Sequence, residues 1–244
     1  MASPDSIILT YHSLDDSGSV TSIAPRLFRE QMDLLQESGW PVVPLEQARA
    51  VPGSVALTFD DGYRNFIQFG VPVLAEAGFP ATVFVVSGYC GRAAEWPGQS
   101  DAMRGLTLMS WSELSELRQS GIALGAHTVN HPDLRTLPDA QVIHELDASR
   151  AAVEDRTGMP AISFAYPYGG CDPRVRKLAS ERFRLACGTR LLPTRSDSDL
   201  YNLPRLDVYY LRNLRRFRTV LGGGGRKFLA GRHLLRQARA CLSR

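Results

Sequence analysis

The sequence predicts an α/β fold in which helices cover a mainly parallel sheet, and three observations carry that expectation. Short apolar runs alternate with longer helical patterns along most of the chain. About seven strand–helix units of this kind follow one another, which suits an incomplete barrel better than an open doubly wound sheet, although periodicity alone permits both. With 244 residues of ordinary globular composition, the chain can bury a large core without disulfides or a structural metal.

Strands are expected at residues 7–11, 55–59, 82–86, 122–126, 162–166 and 184–187, with a weaker one at 206–210. Each is short, rich in Val, Ile, Leu or aromatics, and closed by a polar residue or Gly. Helices are expected between them. Residues 25–37 carry Pro25 early and Gly39 just beyond, the usual start and stop signals. Segments 65–77, 112–120, 139–157 and 173–182 follow the same logic. Ser110 and Glu113 form a capping-box pattern ahead of the third of these helices. Residues 88–108 form a long connection, a candidate lid or substrate loop. Gly222–Gly225 is expected to act as a flexible break before a terminal segment.

Charge is unevenly distributed. From Arg205 onward ten arginines and one lysine face a single aspartate, a net +10, which leaves −7 for residues 1–204 out of a total of +3. A basic tail of this kind predicts an acidic partner surface, although Lys occurs only twice in the chain and a coding bias toward Arg is the plainer explanation. Phe228, Gly231, Leu235, Ala238 and Leu242 fall on a heptad-like stripe, with Arg232, Arg236 and Arg239 beside it. That pattern fits peripheral contact with a membrane surface or a terminal helix docked on the body. Nucleic acid is disfavoured because the basic stretch has little aromatic interleaving. No basic segment followed by an apolar stretch opens the chain, and Cys90, Cys171, Cys187 and Cys241 form no C-x-x-C pair. These features predict a cytoplasmic location, if need be at the inner face of the membrane.

The chemistry-bearing residues cluster at strand ends. Thr58-Phe-Asp-Asp-Gly62 closes the second strand. Two adjacent carboxylates are costly to bury unless a cation absorbs their charge, and a helix-capping turn is the equal alternative on these residues alone. His127-Thr-Val-Asn-His131 closes another strand, and a spacing of four would place both imidazoles on one face of a helical turn. Two His and one carboxylate are a common ligand set for a divalent metal, above all Zn²⁺. His12 ends the first strand, so three strands end in titratable groups. In barrels such positions converge on the C-terminal face. Tyr166-Pro-Tyr-Gly-Gly170 closes a further strand, as a rigid turn or as the wall of a sugar site.

Taken together, these motifs resemble the polysaccharide deacetylase family (NodB-homology domain, carbohydrate esterase family 4), whose hallmarks are T-F-D-D-G and H-[ST]-x-x-H. The likeness spans about residues 6–210, leaving 211–244 as a basic extension. The resemblance implies a distorted (β/α)7 barrel and a metal-dependent N-deacetylase acting on an amino-sugar saccharide. It implies Asp61, His127 and His131 as ligands of one divalent metal (Zn²⁺, or else Co²⁺ or Ni²⁺), Asp60 as general base, and the Tyr168 backbone N–H as an oxyanion donor. Two departures stand out. The family's third motif begins with Arg where this chain has Ala165, and the C-terminal Leu-x-His motif is missing after residue 200. The motif order resembles the circularly permuted branch that includes poly-N-acetylglucosamine deacetylases, where a Tyr-His strand end comes first. His12 then becomes the acid, Arg205 the substitute partner of Asp60, and Asp207 a candidate to orient His12. Two other readings remain open at this level: hydrolysis of a different amide, such as a cyclic imide or a nucleotide-sugar N-acyl group, and a saccharide-binding pseudoenzyme.

Overall fold

A computed structural model describes residues 5–242, without the side chains of Arg226 and residues 236–242. The chain runs β1 (Ile7–Tyr11), β2 (Ser13–Leu14), β3 (Ser22–Ile23), α1 (Pro25–Ser38), β4 (Val55–Phe59), α2 (Asn65–Phe69), α3 (Val71–Ala77) and β5 (Ala81–Val85). It continues through α4 (Trp111–Glu116), β6 (Ile122–Ala126), α5 (Asp139–Thr157), β7 (Ser163–Ala165), α6 (Pro173–Ser180), β8 (Leu185–Cys187), β9 (Leu206–Asp207), α7 (Leu214–Leu221) and α8 (Arg226–Leu242).

Seven strands form one curled sheet in the order β8-β7-β6-β5-β4-β1-β9, with every pairing parallel. β1 and β4 are buried at every position, as strands covered on both faces must be. Between the two edge strands, residues 200–205 bridge the gap. Leu203 pairs with Cys187, its N–H donates to the Ala186 carbonyl, and the Arg205 N–H donates to the Arg190 carbonyl. The sheet is thus a distorted seven-stranded barrel with helices outside it. Because all staves run parallel, the loops after β1, β4, β6, β7 and β9 open at one end.

Several expected boundaries shift for local reasons. The expected helix 65–77 is two helices, α2 ending at Phe69 and α3 starting at Val71. Pro72 has no N–H to continue the ladder, and at Gly70 a Cβ would fall 2.4 Å from the Phe66 ring. The expected helix 112–120 is α4 followed by a 3₁₀ turn over Leu117–Ser120; its capping box is present, with Ser110 Oγ accepting the Glu113 N–H and Glu113 Oε2 accepting the Ser110 N–H. The weak strand 206–210 stops at Asp207, whose carboxylate accepts the Tyr209 N–H and turns the chain into a 3₁₀ helix.

The glycine break is a correction. Residues 222–225 form a tight turn in which Gly222, Gly223 and Gly224 donate to carbonyls of the last turn of α7. Leu229, 1% exposed, then joins Val220 and Leu221 in the main core. The buried Leu229 anchors the start of α8, so this segment is a hydrogen-bonded turn between two packed helices where the sequence suggested a tether. The stripe residues Ala238 and Leu242, with Arg236 and Arg239, have side chains outside the described set. Cys90, Cys171 and Cys187 are free thiols, and the side chain of Cys241 is likewise outside that set. Among the described residues no helix is long and apolar enough to cross a membrane.

Candidate active site

Asp60 and Asp61 leave the C-terminal end of β4, and His127 and His131 leave that of β6. Asp61 Oδ1 lies 3.4 Å from His127 Nε2 and 3.5 Å from His131 Nε2, and all three residues are buried. The backbone is held in an uncommon conformation to achieve this. Asp61 (φ 71°), Thr128 (φ 68°) and His131 (φ 56°) occupy the left-handed region, which L side chains rarely adopt. Three such residues around one point mark a constrained functional site. The histidine motif is therefore not the helical turn expected from its spacing; it is a loop that brings the two rings together by two left-handed residues.

The loop is fixed from outside. Glu145, a buried carboxylate on α5, accepts the N–H groups of Val129 (2.7 Å) and Asn130 (3.0 Å) and the Asn130 side-chain amide (2.7 Å). Thr128 Oγ1 accepts the His131 N–H at 2.9 Å. His127 Nδ1 lies 2.7 Å from the Ala165 carbonyl, which can only accept, so Nδ1 carries a proton and Nε2 is the ring nitrogen presented to Asp61.

The residues fit a divalent cation. A four-coordinate ion with bonds of about 2.0–2.1 Å needs donor atoms roughly 3.3–3.5 Å apart, the spacing from Asp61 Oδ1 to each imidazole, and all three donor atoms lie within 4.8 Å of one another. Asp61 Oδ1 is buried with no hydrogen-bond partner among the described residues, a costly state that a cation relieves. Burial alone would raise the Asp61 pKa, yet the neighbouring imidazoles, His127 foremost, hold it below the usual carboxylate range. Burial drives His131 down to about 3, so its ring is neutral and free to ligate.

Asp60 points elsewhere. Arg205, 1% exposed, grips it in a bidentate fork, Nη1 to Oδ1 and Nη2 to Oδ2, each 2.7 Å. The same guanidinium donates to Thr58 Oγ1 (3.2 Å) and the Gly188 carbonyl (3.0 Å) and lies 5.5 Å from the Phe84 ring centroid. Burial opposes ionisation of Asp60, but Arg205, together with His127 and His12, outweighs it and keeps the pKa low. His12 Nε2 stands 3.9 Å from Asp60 Oδ2, with its side chain 18% exposed. The site thus has two carboxylates with separate partners, one facing an ion pocket and one facing an arginine.

Tyr168 (φ 58°) stands over the pocket, its ring 4.7 Å from His131 and its hydroxyl donating to the Pro97 carbonyl. The 88–108 connection packs as a flap. Buried Trp96 lies 4.7 Å from His131, and Gln99 donates to the Tyr63 hydroxyl. Burial, with the charge of Asp61, raises the Tyr63 phenol well above its ordinary range. Asp207 sits beside Thr10 on β9 and accepts the Tyr209 N–H. Sequence reasoning overlooked Glu145, Trp96, Tyr63 and Gln99. Only Glu145 left a usable trace: it interrupts the buried stripe Val142, Leu146, Ser149 and Val153 of α5 with an acid.

The fold thus brings an Asp–His–His pocket and an Asp–Arg pair together at the C-terminal ends of the strands of a curled parallel barrel. The family profile for polysaccharide deacetylase matches residues 48–182, and the chain belongs to that family. The Bacillus subtilis protein YxkH is 25% identical over 210 residues, covering 82% of this chain and 70% of YxkH. The poly-beta-1,6-N-acetyl-D-glucosamine N-deacetylase of Escherichia coli K12 is 26% identical over 142 residues, 51% of this chain but only 20% of that enzyme. IcaB from Ammonifex degensii superposes with a TM-score of 0.74 at 24% identity, covering 91% of this chain and 97% of that one, a likeness of fold.

Proposed function

We propose that this protein is a metal-dependent N-deacetylase that hydrolyses acetamido groups on amino-sugar residues of a poly- or oligosaccharide. The observation that carries the reading is the convergence of Asp61 Oδ1 with two imidazole Nε2 atoms beside the arginine-held Asp60. Family membership and the name of the Escherichia coli relative support the substrate class.

Asp61, His127 and His131 hold the divalent cation. Two nitrogens and one carboxylate oxygen suit Zn²⁺, with Co²⁺ or Ni²⁺ as substitutes. When bound, the cation supplies Lewis-acid activation of water and of the acyl carbonyl. Asp60 takes the proton of the attacking water. Arg205 keeps it ionised and fixes the carboxylate plane, and each carboxylate oxygen retains a second lone pair for that proton. The Tyr168 backbone N–H, aimed by the strained turn after β7, is the donor proposed for the developing oxyanion. His12 delivers a proton to the departing amine, and its partial exposure lets it recharge from solvent.

The test is acetate release by purified protein from N-acetylglucosamine oligomers, paired with elemental analysis. One metal per chain and turnover are expected. Asp60→Asn should lower turnover by about 10²–10⁴-fold with metal content unchanged. A metal-loaded Asp60→Asn protein within tenfold of the parent removes Asp60 from the role of base.

A further inference from the structure

Val20, Tyr168, Tyr209, Leu234 and Leu235 are the large hydrophobics exposed among the described residues. The first three follow β1, β7 and β9, so they stand at the end of the barrel that carries the site, and the last two lie on α8. Val20 and Tyr209 flank one arginine. Arg212 donates to the carbonyls of Ser19 and Ser22, on either side of Val20, and its guanidinium lies 4.7 Å from the Tyr209 ring.

That arginine begins a row of cationic and aromatic side chains that continues from the turn after β9 down the α7–α8 pair. Arg216 lies 4.3 Å from the Phe228 ring, and Arg232 lies 5.6 Å from Phe228 and 5.8 Å from Tyr210. Several arginines elsewhere end on carboxylates, as in Arg29–Glu76, Arg64–Glu113 and Arg176–Asp199, and Arg218 of α7 reaches Glu37. Among the described residues Arg212, Arg216 and Arg232 have no carboxylate partner. The 88–108 flap carries Glu95 and Asp101 beside Arg92 and Arg104, a balanced set, so the excess of positive charge lies with the segment from Arg205 onward. Tyrosines and arginines interleaved with exposed aliphatics match a lipid headgroup layer, where rings sit at the interface and each cation gains from anionic lipid.

We infer that the β1–β9 edge, formed by the 19–22 turn, Tyr209, Tyr210 and the α7–α8 pair, docks on an anionic phospholipid bilayer and holds the site beside it. The saccharide is then presented from that surface, an extension that rests on the deacetylase reading; the docking does not.

Co-sedimentation of the full chain with phosphatidylcholine vesicles, with and without phosphatidylglycerol, tests it. Retention is expected only with the anionic lipid, and it should fall as salt is raised. The exposed pair Arg216→Gln and Arg232→Gln should weaken retention at least tenfold, and Val20→Ser with Tyr209→Ser should weaken it at any salt. Both double variants should melt with the parent and match its rate on a soluble N-acetylglucosamine oligomer. Equal retention on neutral vesicles, unaltered retention of either variant, or tighter capture of an oligonucleotide at the same salt overturns the inference. Loss of hydrolysis with docking intact would count against the deacetylase reading alone.

Discussion

Replacing Arg205 with Met tests the energetic centre of the site. The guanidinium makes four hydrogen bonds, two of them to Asp60 at 2.7 Å, from a position 1% exposed to solvent. Met fills a similar length but leaves the Asp60 carboxylate buried without its guanidinium, with His12 at 3.9 Å. Removing one partner of a buried ion pair costs about 3–5 kcal/mol. At about 2–4 °C per kcal/mol for a domain of this size, the melting temperature should fall by roughly 6–20 °C. Adding Asp60→Asn removes the stranded charge, so the double variant should melt above Arg205→Met alone. Arg205→Lys keeps the charge but cannot bridge both oxygens, and should lose about 1.5–3 kcal/mol, the worth of one hydrogen bond to a charged group. Thermal and urea unfolding followed by circular dichroism, in chelator and again with metal, read these differences. An Arg205→Met protein within about 1 kcal/mol of the parent, less than the low end expected for a broken buried pair, would refute the reasoning. So would a double variant less stable than Arg205→Met.

Three further outcomes are expected. Glu145→Gln keeps the shape of the α5 clamp but not its charge, and should weaken metal affinity by about 10–100-fold in a competition titration, with little change in the melt of the chelated protein. Metal at a hundredfold excess over its dissociation constant should add about 2.7 kcal/mol, seen as a rise in melting temperature that Asp61→Asn and His127→Ala abolish. Gly169→Ala should destabilise by more than about 1 kcal/mol: its φ is +68° and the new Cβ would fall 2.0 Å from Thr189 Oγ1. A melt equal to the parent's would show that the turn after β7 is less constrained than its geometry indicates.

Much of this architecture is written in local pattern. β1 and β4 are continuous apolar runs because both faces are covered, and such runs are easy to read. The pocket residues were readable because three strands end in titratable groups, and parallel strands send those ends to one place. Hidden features depend on contacts distant in sequence or on backbone conformations that composition does not encode. The histidine loop reads as a helical turn by spacing, but left-handed Thr128 and His131 and the distant Glu145 set its real path. The four glycines read as a tether, and only burial of Leu229 against α7 makes them a turn. Trp96 reaches His131 from a connection with no periodic pattern at all.

Arg205 belongs to the stretch that joins the two edges of the sheet, 145 positions after the carboxylate it grips. A nascent chain emerging from the ribosome has its Asp-Asp turn and both histidines long before it has that guanidinium. Until the last stave arrives, Asp60 carries a charge without its guanidinium partner, so sealing the earlier strands around it at neutral pH is costly. Fragments ending before residue 205 should therefore be inert and prone to proteolysis, and the capacity for chemistry should appear in the same late event that shuts the ring.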